Sequence, residues 1–217
     1  MTFGVTIEAG GPRTNRVDPF GRIFATPAKG GFMGNRGCLH DAQGRMGPRA
    51  WKHRHWIICA LAFNGRRRTL MTPGEYTELF FLDEPTALAA GHRPCWECRR
   101  LDAKAFAAAF AAAHPELGSK PAAHTMDVLL HRQRLDSRGG QRTWLERLGA
   151  LPDGAMVALD GEPWLIWRGG RLRWSPGGYD DRRLLEPARV VDVLTPQAAV
   201  LAIQAGYRPA AHSSAKD

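Results

Sequence analysis

The sequence predicts an α+β fold: a small zinc-stabilised antiparallel sheet with helices, followed by a smaller C-terminal α+β unit. Three observations predict it. Short runs of β-formers are separated by turn dipeptides, Asn64-Gly65 foremost. Alanine-rich segments with cap residues stand between and after those runs. The pair Cys95-x-x-Cys98 has the spacing of a metal turn.

Residues 1–37 are rich in Gly, Pro and Asn and read as loops with a short strand or two. His55–Phe63 is a continuous apolar run and the first strong strand. Arg66–Met71 is the expected return strand after Asn64-Gly65, and Tyr76–Leu82 a third strand. Asp83 then caps a short helix, with Glu84 and Pro85 in its first turn and Gly91 as a left-handed stop. Leu101–Ala113 reads as a second helix, with Phe106 and Phe110 at i, i+4 marking its buried face. The Pro/Gly/Ser/Ala stretch 115–123 divides a zinc-binding, basic domain at 1–114 from a unit at 124–217.

In that second unit His124–Asp136 reads as a helix and Thr143–Leu148 as another. Met156–Leu159, Trp164–Trp167 and Arg171–Trp174 form a three-stranded meander with turns at Asp160-Gly161 and Gly169-Gly170. Trp164, Trp167 and Trp174 are expected in its core rather than on a stacking platform. Gln197–Ala205 is the last helix, and the tail from His212 is expected to fray. Ala90-Gly91-His92-Arg93-Pro94 recurs as Ala205-Gly206-Tyr207-Arg208-Pro209, each at a helix end, so Ala-Gly-x-Arg-Pro reads as a stop signal to which the first copy adds thiols.

The net charge is +9, and residues 1–100 hold 15 Lys+Arg against 8 Asp+Glu, or +7 of it. A polyanion such as nucleic acid, DNA foremost, is the partner this implies. Arg45, Arg49, Lys52 and Arg54 interleave with Trp51, His53, His55 and Trp56, and Arg66, Arg67 and Arg68 follow the hairpin turn. Such cations neutralise phosphates, and flat rings stack on unpaired bases. The alternative is a solvated strand edge guarded by charge. The opening MTFGVTIEAGG lacks a secretion pattern, and no charge-free stretch reaches the roughly 18 apolar residues of a membrane span. A cytoplasmic protein with no membrane partner is expected, and its cysteines are expected to be free of disulfides.

Two sulfurs in a Cys-x-x-Cys turn can share one Zn²⁺ at ~2.3 Å each. The helix that follows aims its amide end at the turn, and with Arg93, Arg99 and Arg100 it favours thiolate. Two more ligands are needed. Cys59, in the presumed first strand, and His40 are the favoured pair, with Cys38 as the alternative to either.

The segment Phe81–Cys98, FLDEPTALAAGHRPCWEC, resembles the second half of the zinc-binding domain of the Ada-type (alkylation-response) superfamily. Members share an aromatic strand, an alanine-rich helix and then Gly-aromatic-Arg-Pro-Cys-x-x-Cys. The resemblance implies that Cys95 and Cys98 are the second ligand pair of a zinc site beside DNA; from the sequence itself, Arg93 flanks that turn and is expected to border the basic surface and contact nucleic acid. It covers about 20 residues, and no Cys-x-x-x-Cys stands where the family has its first pair. A zinc-containing nucleic-acid-binding protein, in repair or regulation, is therefore the leading expectation. The rivals are a metal-dependent enzyme acting on nucleic acid, with Asp127 and His131 as reactive pair, and a structural zinc protein mediating assembly. His124, Asp127 and His131 share a helix face that also reads as plain solvated surface.

Overall fold

The computed structural model describes residues 11–65 and 69–216. It is α+β, with two six-stranded sheets. The N-terminal stretch, read as mostly loops, contributes three short strands: β1 (Thr14–Val17), β2 (Ile23–Ala25) and β3 (Phe32–Asn35). They pair with β4 (Ile57–Cys59), β5 (Leu79–Phe81) and β6 (Arg93–Pro94) in the order β2-β1-β5-β3-β4-β6. Most pairs are antiparallel, but β1 runs parallel to β5 and β4 parallel to β6. Asn64 and Gly65 both have positive φ, as a tight hairpin turn requires. Thr69–Met71 is not a strand, so the described part of the expected return strand does not pair.

Between β5 and β6 lies helix α1 (Glu84–Ala89), capped as expected: Thr86 N–H donates to Asp83 Oδ1 at 3.0 Å. Gly91 sits at φ 82° and Gly206 at φ 114°. The two helix ends use the same closing bonds, Gly91 N–H to Leu88 O with His92 N–H to Ala87 O, and Gly206 N–H to Ile203 O with Tyr207 N–H to Ala202 O. The repeated Ala-Gly-x-Arg-Pro is thus one stop motif used twice.

Helix α2 (Arg100–Ala113) buries Ala103, Phe106, Ala109 and Phe110. Helices α3 (Ala123–Arg134) and α4 (Gln197–Gln204) complete the set. Met126 and Leu130 of α3 and Ala198, Ala202 and Ile203 of α4 share a core with Leu79, Phe81, Leu88 and Phe106. The core of the first sheet therefore draws on both sides of the 115–123 stretch.

The expected meander is the centre of a larger sheet. Its strands are β8 (Met156–Leu159), β9 (Glu162–Trp167) and β10 (Gly170–Ser175). It is flanked by β7 (Trp144–Arg147), β11 (Gly178–Leu184) and β12 (Val190–Val193) in the order β11-β10-β9-β8-β12-β7. All its pairs are antiparallel. Of the stretch Thr143–Leu148, expected as a helix, Trp144–Arg147 is strand: the four-residue run alternates half-buried and exposed positions, and pairing with β12 decides the outcome, while Leu148 opens a 3-10 turn. Of the three meander tryptophans, Trp164 is buried with Val157, Ile166 and Val193, while Trp167 and Trp174 are half-buried against a different cluster, around Met156, Leu165 and Tyr179.

The tail does not fray. Ala210 N–H donates to Glu84 Oε2, His212 N–H to Asp83 Oδ2, and Ser214 Oγ accepts from Tyr179 N–H. The first turn of α1 holds it. Among the described residues, no helix is long and apolar enough to cross a membrane.

Candidate metal centre and basic surface

The parallel pairing of β4 with β6 builds the cysteine cluster. Ile57 is in register with Arg93 and Ile58 with Pro94, so Cys59 falls abreast of Cys95. Cys95 N–H donates to Ile58 O at 2.9 Å and locks the two ends together. The x-x turn then brings Cys98 round. The ligand atoms of Cys59, Cys95 and Cys98 all lie within 4.8 Å of one another, close enough to hold one metal ion.

The donor set suits a thiophilic ion. Backbone N–H groups point at two sulfurs, Glu97 N to Cys95 Sγ and Ala60 N to Cys98 Sγ, both at 3.4 Å. Cys95 is held down to about 5, chiefly by a hydrogen bond from the Cys59 thiol. That same bond, with burial, pushes Cys59 well above the usual thiol range. Burial also raises Cys98. A cation held between the three sulfurs would favour their thiolate forms.

His40, the expected fourth ligand, stands apart. Its Nδ1 is 2.6 Å from Thr77 Oγ1 and its Nε2 3.2 Å from Thr72 O, so both ring nitrogens are engaged. Cys38 is also outside the cluster, with its Sγ 3.6 Å from His40 O. Among the described residues, no further His, Cys, Asp or Glu joins the three thiols. The cluster instead borders a cleft of about 250 Å³ walled by Leu61, Phe63, Tyr76 and Phe80, with Glu78 and Glu97 at its edge.

The expected basic residues divide. Arg45, Arg49, Lys52 and Arg54 are all exposed, on the segment that runs directly into β4. Arg45 pairs with Asp41 at 2.8 Å; among the described residues Arg49, Lys52 and Arg54 have no acidic partner within 4 Å. Arg66, Arg67 and Arg68 lie outside the described residues. Arg93 is not a surface cation. It is 4% exposed, and Nε and Nη2 each donate to Asp127 at 2.8 Å.

This pairing also accounts for Asp127, which is buried and receives a third contact from His55 Nδ1 at 2.8 Å. Its carboxylate closes an ion pair between α3 and β6 instead of orienting His131. His131 Nδ1 lies 2.8 Å from Arg134 Nη2, and burial with Arg134 and Arg54 pushes the imidazole down to about 4. His124 is exposed. Sequence reasoning saw the shared face but not the partner 34 residues upstream.

Arg36 and Arg134 were not singled out by the sequence, yet each is only 2% exposed. Their guanidinium carbons sit 4.1 and 3.7 Å from the centroid of buried Trp56. No known protein family, curated protein or solved structure matches the chain.

Proposed function

We propose that this chain is a zinc-containing nucleic-acid-binding protein. One observation carries the reading: a three-cysteine cluster ends strand β4, and the segment leading into that strand exposes Arg45, Arg49, Lys52 and Arg54. Zinc is proposed over other ions because thiolates at Cys-x-x-Cys spacing, with N–H groups donating to sulfur, suit it. The resemblance of Phe81–Cys98 to Ada-type zinc domains supports the same metal and a site beside DNA. A net charge of +9 supports a polyanion partner.

Two measurements test this. Metal analysis of protein purified without chelators should return about one zinc per chain. A gel shift with single- and double-stranded DNA across a salt series should give a steep log–log slope. Arg49→Ala, Lys52→Ala and Arg54→Ala together should flatten it by about 2 to 3, at roughly 0.7–0.9 per lost phosphate contact, with zinc content unchanged. No affinity for DNA or RNA at low salt refutes the nucleic-acid part and promotes a structural zinc protein.

A metal-dependent enzyme acting on nucleic acid is the second reading. It is favoured by the cluster offering three ligands beside a cleft, since catalytic zinc keeps one position open. A cobalt-substituted protein whose visible spectrum shifts on adding an external thiol would support it.

A further inference from the structure

On the other side of β4, the loops 20–23, 46–50 and 139–141 enclose a second cleft, of about 340 Å³. Its lining includes Arg36, Trp56, Arg134 and Gln141, with Arg22 and Arg49 towards the mouth. We infer that this cleft is a binding site for a phosphate monoester.

The charge count comes first. Arg22 is paired with Asp18 and Arg93 with Asp127. Arg36 and Arg134 are left over. Among the described residues neither has a carboxylate within 4 Å; Arg36 donates to Gly21 O, and Arg134 to Gly91 O and Arg54 O. Two buried cations with no carboxylate in contact are costly, and carbonyl dipoles with the Trp56 ring and the more distant Asp18 and Asp127 offset only part of that. Burial drags Arg36 down to about 9 and Arg134 to about 8, Arg134 with the further push of Arg36, Arg93 and Arg54. Asp18 opposes the shift of Arg36 and Asp127 that of Arg134 from a distance, but neither restores the ordinary value, so the cleft favours an anion. A phosphate monoester carries about −1.5 to −2 at pH 7. A carboxylate brings half of that.

The hydrogen-bond count agrees. Arg36 Nη2 and Arg134 Nε are buried without a partner. Guanidinium donors suit phosphate oxygens. Gln141 Oε1 is also unpartnered, while its amide nitrogen is held by the carbonyls of Pro19, Ala89 and Leu194. That oxygen asks for a donor, which a hydroxyl on a phosphorylated alcohol or sugar supplies. The volume lies at the lower end of small-molecule pockets, ~300–1,000 Å³. The site stands independently of the nucleic-acid reading, because a chain with no affinity for DNA or RNA keeps the same two unmatched arginines.

Thermal melting of the full chain at constant ionic strength, against inorganic phosphate and against a nucleoside monophosphate, tests it. Tm should rise and saturate with both, and the parent nucleoside should do nothing. A free metabolite as source is indicated if the monophosphate outcompetes a 5′-phosphorylated oligonucleotide; the reverse order indicates a nucleic-acid end. Ala50 is exposed and lines the mouth. Ala50→Glu supplies a carboxylate in place of the ligand and should weaken phosphate binding about tenfold or more, while Ala50→Gln should not. Arg134→Gln is the direct variant; the Ala50 pair decides the matter if it does not fold. No saturable response beyond chloride, or equal responses in Ala50→Glu and wild type, overturns the assignment.

Discussion

The two copies of the helix stop differ in what surrounds them, and that difference fixes a measurable asymmetry. Both Gly91 and Gly206 have positive φ, so a side chain at either meets the left-handed penalty of roughly 1–2 kcal/mol. At Gly206 nothing lies within 4 Å of where a Cβ would be. At Gly91 the Cβ would fall 2.4 Å from Arg134 Cδ and 2.9 Å from its Cβ. Arg134 would have to shift, and with it the bonds to Gly91 O at 2.7 Å and Arg54 O at 2.8 Å. Freeing a buried charged donor costs about 1–3 kcal/mol more. Gly206→Ala should therefore cost about 1–2 kcal/mol and Gly91→Ala about 2–5 kcal/mol. Urea unfolding reads this directly, with the midpoint shifted and the slope m unchanged. In a chain of this size each kcal/mol is ~2–4 °C in Tm. Equal costs for the two variants, or a larger one at Gly206, would show that Arg134 is not held against the α1 stop.

Cys95→Ser should abolish metal binding and destabilise the first sheet, whereas Cys38→Ser should leave both unchanged, as metal analysis and melting of the two variants would show. Retention of metal in Cys95→Ser would remove Cys95 from the ligand set. His131 is depressed to about 4 from an ordinary value near 6.5, so between those pH values the unfolded chain binds the extra proton. Stability should fall as pH drops through that window, and His131→Gln should fall less steeply; parallel profiles for the two proteins would contradict the depressed imidazole.

Local signals made α1 and the cysteine turn legible. Asp83, Pro85 and Gly91 each act within one turn of their own position, so the helix can be read without knowing its neighbours. Cys59 was readable as a residue of the first strong strand, but the parallel β4–β6 register that carries it to Cys95 was not, since the sheet was expected to be antiparallel. The expected fourth ligand, His40, was misplaced, since it is satisfied by Thr77 and Thr72, contacts that no spacing rule encodes. Strand β11, Gly-Tyr-Asp-Asp-Arg-Arg-Leu, has no apolar alternation because it is an edge strand paired only to β10. Strand β12 did carry a signal: Val191 and Val193 are buried and Asp192 exposed, a period of two in a run short enough to overlook. Arginine reads as surface in any composition argument, which is why Arg36, Arg93 and Arg134 were misplaced or missed.

The first turn of α1 bonds to the cysteine turn, to the second sheet and to the tail. Asp83 is buried and accepts from Thr86, Tyr179 and the His212 amide; burial still raises its carboxyl despite these donors. Glu84 beside it accepts from Arg99 at 2.8 and 3.0 Å, from Tyr207 Oη at 2.6 Å and from the Ala210 amide. Tyr179 comes from the second sheet, Tyr207 from the second stop motif, and Arg99 is the residue after Cys98. A helix N-terminus favours negative charge, so placing two acids there lowers the cost of burying them. Removing any one partner would leave a buried carboxylate underpaired, a far larger loss than the pair contributes. Arg99 and Glu84 thus link the cysteine turn to the C-terminal tail. The acids at the start of α1 act less as stabilisers than as the point where the cysteine turn, the second sheet and the tail are tied together.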